Sequence, residues 1–394
     1  MDILNILGRT DELFMEDLLS YDLDMTNIIS KNRFLVIGGG GSIGQAVSKE
    51  LFKRGAKALH VVDLSENYLV ELVRDIRSSY GYLVDDFDTF ALDCGSRKFK
   101  DFMQNGKYDY VLNLSALKHV RSENSQYSMD RMIKTNLINT INTLNWAINS
   151  GACKYFCVST DKAANPANFM GATKRAMELS IMRRDNTIPV TGARFANVAF
   201  SNGSLLESFQ RRVTQKQPLS TPSDIRRFFI TPQEAGIICL FSAILGKNNT
   251  IFFPCNEKEM KLTSFLEIAQ NFLLSIGKKA VLCYDEIEAR DLIQTLDLNK
   301  YWPINVFVTD TVGEKPFEEF YTDKESIQYG DYKDLACIEF TSDKSQLEVS
   351  EFLAKIEKLD LSSKAAVSNM LELFKEFVPT FDHVDSKRHL NARM

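Results

Sequence analysis

Histidine is scarce in this sequence, with four residues (His60, His119, His383, His389) and no pairing at metal-ligand spacing, which argues against a zinc enzyme and for no metal site. The seven cysteines are scattered, odd in number and without a CxxC, so they read as reduced packing residues of a cytoplasmic protein. The longest strongly apolar run, Ile237–Leu245, is too short to span a bilayer. The acidic start, MDILNILGRTDELFMEDLL, lacks the basic region of a signal peptide. No excess of Lys and Arg is present: the net charge is −5, which offers no surface to nucleic acid or anionic lipid. Internal repeats and low-complexity tracts are absent as well. The expectation is a cytoplasmic protein with no nucleic-acid partner and no membrane insertion.

What remains is an ordinary globular composition, 44% hydrophobic and 25% charged over 394 residues, enough for two domains or one large domain with an appendage. Arg33–Gly44 (RFLVIGGGGSIG) runs from a strand straight into a glycine turn, and Gln45–Arg54 continues as a helix. Gly38, Gly41 and Gly44 fit the dinucleotide pattern, with Ser42 and Ile43 between them: a tight turn, close backbone approach to a pyrophosphate, and a helix N-terminus that favours negative charge. A second strand, Ala58–Asp63, ends in an acid at the distance expected for an adenosine ribose contact. Asp63 has two readings, ribose acceptor or helix N-cap; as a ribose ligand it favours NAD over NADP. Further short strands at Phe90–Asp93, Tyr110–Ser115, Lys154–Ser159 and Val190–Phe195 alternate with helices such as Met129–Asn149, and Asp93 lies where an adenine contact is expected. This alternation predicts an α/β fold with a doubly wound parallel Rossmann sheet.

Chemistry concentrates in Ser159–Lys174 (STDKAANPANFMGATK). Asp161 and Lys162 follow a strand at its carboxyl end, where open α/β sheets bind ligands. Met170 and Lys174 are four apart on the helix expected from Gly171 onward, hence on one face. Asp161–Lys162 also reads as a solvated loop pair, and His119, with no acidic or nucleophilic partner in view, as a structural histidine. The remaining chain divides into a helical segment (1–32) that caps the sheet or mediates association, a nucleotide-binding domain (33–200), a smaller region (201–330) and a helical C-terminal extension (331–394). Arg226 and Arg227 in DIRRFFIT are either a phosphate clamp or a solvated basic face.

Assembled, these segments resemble the extended short-chain dehydrogenase/reductases acting on nucleotide sugars, and within them the UDP-N-acetylglucosamine 4,6-dehydratases of polysaccharide biosynthesis. The resemblance covers roughly Arg33 to Glu319. It rests on the glycine turn, ALKHV (Ala116–Val120), STDKAxxP (Ser159–Pro166), GATK (Gly171–Lys174), RFxNV (Arg194–Val198), RFF (Arg227–Phe229) and GEKxxEE (Gly313–Glu319). It implies bound NAD that takes a hydride from C4 of the sugar and returns it to C6, with C5 deprotonation and loss of water between. By resemblance Lys162 is the C5 base, Asp161 the acid for the departing hydroxyl and Thr160 its hydrogen-bonding partner. Lys174 is expected on the nicotinamide ribose, Lys118, Asn197, Arg227 and Glu314 on the nucleotide sugar, and a homo-oligomer as the assembly.

Two departures narrow this expectation. Met170 stands where most of the superfamily has a catalytic Tyr; a thioether cannot accept a hydroxyl proton, and one branch of the dehydratases resembles this sequence in carrying Met there. Thr311-Val312 replaces the usual Arg-Pro before GEK, so a phosphate contact is lost or moved to Arg226 or Arg227. The competing expectations are a nucleotide-sugar epimerase, a C5-inverting dehydratase, and a non-catalytic NAD-binding protein.

Overall fold

The computed structural model describes residues 2–119, 123, 125–255, 260–309 and 318–383. The first six strands are β1 (Arg33–Ile37), β2 (Ala58–Asp63), β3 (Phe87–Ala91), β4 (Tyr110–Asn113), β5 (Lys154–Val158) and β6 (Val190–Ala193). Next come β7 (Asn197–Val198), β8 (Leu219–Pro222), β9 (Arg226–Ile230), β10 (Thr250–Pro254) and β11 (Leu262–Ser264). The last are β12 (Lys279–Cys283), β13 (Tyr301–Phe307), β14 (Ser326–Gln328) and β15 (Leu335–Glu339).

Seven strands run parallel in the order β3-β2-β1-β4-β5-β6-β10, and β15 and β14 add antiparallel beyond β10. Strands β5 and β10 are buried at every position, which is why their sequences (KYFCV, TIFFP) lack polar alternation: helices cover both faces. The doubly wound α/β fold expected from the sequence is present. From β1 the chain winds outward through β2 and β3, then returns through β4 on the other side of β1. That reversal opens a crevice at the carboxyl ends of β1 and β4.

The linear domain division needs correction. Strands β10, β14 and β15 belong to the main sheet, although they come from the stretches 201–330, expected as the smaller region, and 331–394, expected as a helical extension. Their sequence signal is weak because β15 pairs antiparallel on both sides and β14, at the sheet edge, has only three residues. The smaller region consists of two three-stranded sheets, β11-β9-β7 and β12-β13-β8, around a separate core that includes Leu206, Phe209, Phe272, Trp302 and Ile304. The helix Met129–Asn149 resolves into Gln126–Ile133, a π-helical turn at Lys134–Ile138, and Asn139–Asn149.

Residues 2–32 are clamped to both parts. The Arg9 guanidinium donates to Glu234 Oε1 and Oε2 at 2.8 and 2.7 Å, and the Leu13 amide donates to Glu234 Oε1 at 2.8 Å. Glu234 also closes the capping box of the helix Pro232–Leu245. Asp17, on the helix Met15–Ile29, accepts from the Lys333 and Asp334 amides at 2.7 and 2.8 Å, tying that helix to the turn before β15. At the other end, the helix Ala366–Phe377 packs on the helix Phe169–Ile181, with Phe374 edge-on to Phe169 at 4.8 Å, and Gln346–Glu357 packs on Ala366–Phe377 through Phe352. The Asp382 amide donates to the Pro166 carbonyl at 3.0 Å, so the C-terminal segment lies against the Asn165-Pro166 turn. Among the described residues no helix is long and apolar enough to cross a membrane. All seven cysteines are free thiols.

Candidate active site

The crevice widens into a cavity of about 650 Å³, and most of the site residues expected from the sequence line it: Gly38, Gly41, Ser42, Ile43, Gly44, Asp63, Asp93, Lys118, Thr160, Asp161, Lys162, Met170, Lys174 and Asn197. Arg227 does not line it; this residue is buried on β9 and its Nη1 donates to the Arg226 carbonyl at 2.8 Å. Glu314 lies outside the described residues.

The glycine turn forms one end. Gly38 has φ +75°, and a Cβ there would sit 2.6 Å from the Ser115 amide nitrogen, so only glycine fits. A Cβ on Gly44 would collide with the Gly38 carbonyl and lie 2.6 Å from Gly39 Cα. Gly41 caps the helix Ser42–Lys53 without a side-chain acceptor, so the first-turn amides are left to whatever fills the cavity. Asp63 Oδ2 accepts from the Gly40 amide and Oδ1 from the Ser65 amide, both at 2.9 Å. Each oxygen keeps a lone pair for a further donor. The N-cap of the following helix is Ser65, whose hydroxyl accepts from the Tyr68 amide; of the two readings of Asp63, capping falls to its neighbour. The Ser42 hydroxyl donates to Asn202 Oδ1 at 3.1 Å and accepts from the Asn202 amide at 2.9 Å. This bridge joins the glycine turn to the turn after β7, and nothing local in the sequence announces it.

At the centre, β5 ends in a short 3-10 turn, Asp161–Ala163, whose N-cap is Thr160. Asp161 is 5% exposed. Its Oδ1 accepts from the Thr160 hydroxyl at 2.7 Å, and the Lys162 Nζ stands 3.2 Å from both carboxylate oxygens. The pair is therefore an element of the cavity wall and not a solvated loop. Lys162 keeps a third of its side chain exposed, on the cavity side.

The helix Phe169–Ile181 begins two residues before the glycine expected to open it, because Asn168 caps it by accepting from the Gly171 amide at 2.8 Å. Met170 and Lys174, one turn apart, both reach the cavity. Lys174 is 3% exposed and its Nζ donates to the Val158 carbonyl at 3.0 Å. Burial lowers its pKa from the ordinary lysine value, against the opposing pull of Cys157 and Glu178. Asn136, in the π-helical turn, is fully buried; it accepts from the Leu117 amide and donates to the Leu117 carbonyl and the Thr173 hydroxyl. It therefore fixes the loop after β4 against the helix of Lys174.

At the far end, Lys118 donates to the Ser201 hydroxyl at 3.1 Å, and burial lowers its pKa while Glu207 opposes. His119 also lines the cavity, packed against Gly203. One acid was missed: Glu318 accepts from Asn197 Nδ2 at 2.6 Å and from the Phe228 amide at 2.7 Å. Burial, then repulsion from Asp161, pushes its carboxyl up to about 7. Its motif, GEKxxEE, was legible, but a motif does not say which of its acids turns inward.

Sequence comparison finds three informative relatives. The capsular polysaccharide biosynthesis protein CapD of Staphylococcus aureus is 29% identical over 67% of this chain, which spans only 45% of that protein's length. A UDP-N-acetylglucosamine 4,6-dehydratase (inverting) of Campylobacter jejuni is 25% identical over 73% of this chain and 90% of its own. A UDP-glucose 4-epimerase of Rickettsia typhi is 27% identical over 72% and 86%. Among solved structures, DesIV (dTDP-glucose 4,6-dehydratase) from Streptomyces venezuelae, crystallised with NAD and TYD, superposes with a TM-score of 0.53 over 73% of this chain and 87% of its own; at 15% identity it shows the shared fold. Residues 34–339, most of the chain, match the family described as polysaccharide biosynthesis protein, and the chain belongs to that family.

Proposed function

We propose that this chain is an NAD-dependent nucleotide-sugar 4,6-dehydratase that converts UDP-N-acetylglucosamine to a UDP-4-keto-6-deoxy sugar. One observation carries the reading: a buried carboxylate, an amine and a hydroxyl (Asp161, Lys162, Thr160) face the cavity that also holds Met170 where ordinary Tyr–Lys chemistry needs a phenol. The glycine turn, its open helix N-terminus and the Asp63 carboxylate fit a dinucleotide with an unphosphorylated ribose. Bound NAD would supply a hydride acceptor and, within the same turnover, a donor, so no external oxidant is consumed. Lys174 contributes positive charge and a donor on the nicotinamide side, while Lys118 and Asn197 contact the nucleotide sugar.

The protons that move on the sugar pass through the chain's own groups. With Met170 unable to accept a proton, the 4-hydroxyl proton passes through the Thr160 hydroxyl to the Asp161 carboxylate, 2.7 Å away. To serve as the base, Lys162 must meet the sugar as the free amine, its ammonium proton having passed to water. The neutral amine then takes the C5 proton, made acidic by the 4-ketone. Asp161, now an acid, protonates the C6 hydroxyl, which departs as water. Lys162 finally returns that proton to C5, leaving Asp161 ionised as it began and Lys162 neutral, to regain its proton from water when the product leaves.

Incubation with UDP-N-acetylglucosamine should give a product lighter by one water, carrying solvent deuterium at C5 when run in D2O. The 27% identical epimerase-named relative supports epimerisation as a second reading. An isomer of unchanged mass would establish that reading instead, and tight NAD binding with no sugar conversion would establish a non-catalytic protein. The cofactor end has its own test. Gly44→Ala introduces a backbone collision costing about 1–3 kcal/mol, and its NAD affinity should fall roughly ten- to hundredfold by fluorescence titration. Unchanged affinity would remove the glycine turn from the cofactor site.

A further inference from the structure

We propose that Glu318 is a positioning residue that fixes which end of the Asn197 amide meets the sugar, and so selects a hydrogen-bond donor on the ligand. The inference rests on the reading of this cavity as a nucleotide-sugar site.

Glu318 joins two strands of the smaller region at one point: Oε1 accepts from Asn197 Nδ2 on β7, and Oε2 accepts from the Phe228 amide on β9. The strands themselves pair in parallel, Asn197 opposite Phe229. An ionised carboxylate has no proton to give. The Asn197 amide must therefore turn its NH₂ toward Glu318, which leaves Oδ1 as the atom offered to the cavity that Asn197 lines. A carbonyl oxygen there welcomes a hydroxyl or an amide N–H and repels a carboxylate or phosphate oxygen. The ligand group at this point is thus a neutral donor of the sugar ring or its acetamido substituent.

The charged surroundings sharpen the choice. Asp161 and Lys162 face Glu318 from the turn after β5, and Arg227 faces it from β9. Beside it in sequence, Glu319 is engaged elsewhere, accepting from Asn165 Nδ2 at 2.9 Å. With burial and Asp161 holding the Glu318 carboxyl near neutrality, protonation releases the constraint on Asn197. A protonated Glu318 can donate to Asn197 Oδ1, the amide can turn over, and the cavity then receives an NH₂ where it had an acceptor. The sign follows: sugar affinity is full above about 7 and falls as pH drops through that value.

The test compares wild type, Glu318→Gln and Glu318→Asp by calorimetric titration with NAD, with UDP and with UDP-N-acetylglucosamine, from one unit below to one unit above neutrality. Glu318→Gln should bind UDP-N-acetylglucosamine roughly ten- to hundredfold more weakly, keep wild-type affinity for UDP and NAD, and lose the pH dependence near neutrality. Glu318→Asp, shorter but still ionisable, should retain a titration. A purely structural Glu318 would instead weaken all three ligands together or lower only the melting temperature, and either outcome overturns the assignment. So does a Glu318→Gln protein with unchanged sugar affinity while wild type converts the sugar. A wild-type protein that binds UDP-N-acetylglucosamine no better than UDP overturns the functional reading itself, and this inference with it.

Discussion

Replacing Lys162 with Met should lower turnover of UDP-N-acetylglucosamine by about 10²–10⁴-fold, the usual contribution of a positioned general base, while NAD binding stays unchanged. The argument is geometric. The Lys162 Nζ sits on the cavity side of a buried carboxylate, 3.2 Å from each of its oxygens, and is a third exposed. Met fills a similar volume but neither accepts nor donates a proton. Asp161 keeps its Thr160 donor in the variant, so the turn after β5 retains its shape. Single-turnover assays should show little C5 deuterium exchange, alongside an NAD titration indistinguishable from wild type. Full turnover in this variant would remove Lys162 from the mechanism.

Arg194→Met should be the most damaging single change to stability. Arg194 is fully buried and holds two acids at once. Its Nε and Nη2 donate to Glu178 at 2.8 and 2.6 Å, and Nη1 and Nη2 donate to Glu325 at 2.9 Å each. Nη1 also donates to the Phe320 carbonyl at 2.8 Å. Burial pushes the Glu325 carboxyl up, but Arg194 and then Arg175 outweigh it and hold the group at about 2. Without Arg194, Arg175 is the one cation among the described residues left paired with the two buried carboxylates. Breaking a buried pair from one side costs about 3–5 kcal/mol, a large share of a typical total stability. The midpoint of urea unfolding should fall accordingly with an unchanged slope. Arg194→Lys should not rescue it, since an ammonium cannot span two carboxylates as a planar fork does. Glu178 also accepts from the Ser159 hydroxyl at 2.6 Å, directly before Thr160 and Asp161, so residual activity should fall as well. A variant within 1 kcal/mol of wild type, a margin usual for surface changes, would show the network to be dispensable.

How much of this was legible before the coordinates depends on range. The glycine turn, Asp63 and the run from Thr160 to Lys174 declare themselves because each is a local pattern whose chemistry and backbone geometry coincide. The parallel strands were readable for the same reason: burial on both faces writes continuous apolar runs such as KYFCV. What stayed hidden is long-range. Glu234 gives no sign that it binds Arg9 across 225 positions, nor Asn202 that it meets Ser42 across 160. Strand β14 is too short to carry a pattern, and a π-helical turn inside Gln126–Asn149 leaves the helical periodicity nearly intact. The motif draws Arg227 toward the site, yet it is buried on β9 and does not line the cavity.

The clamp on residues 2–32 has a consequence for the order in which the molecule can be made. Arg9 waits for a partner 225 residues downstream, and Asp17 for amides 316 and 317 residues downstream. At the usual elongation rate of about 5–20 residues per second, these anchors leave the ribosome roughly ten seconds to a minute after the residues they hold. Leu13, Phe14, Met25 and Ile29, all buried in the finished core, lie in the stretch that these anchors hold down. Residues 9–17 are thus made before the anchors that hold them, which makes this segment a natural foothold for a chaperone.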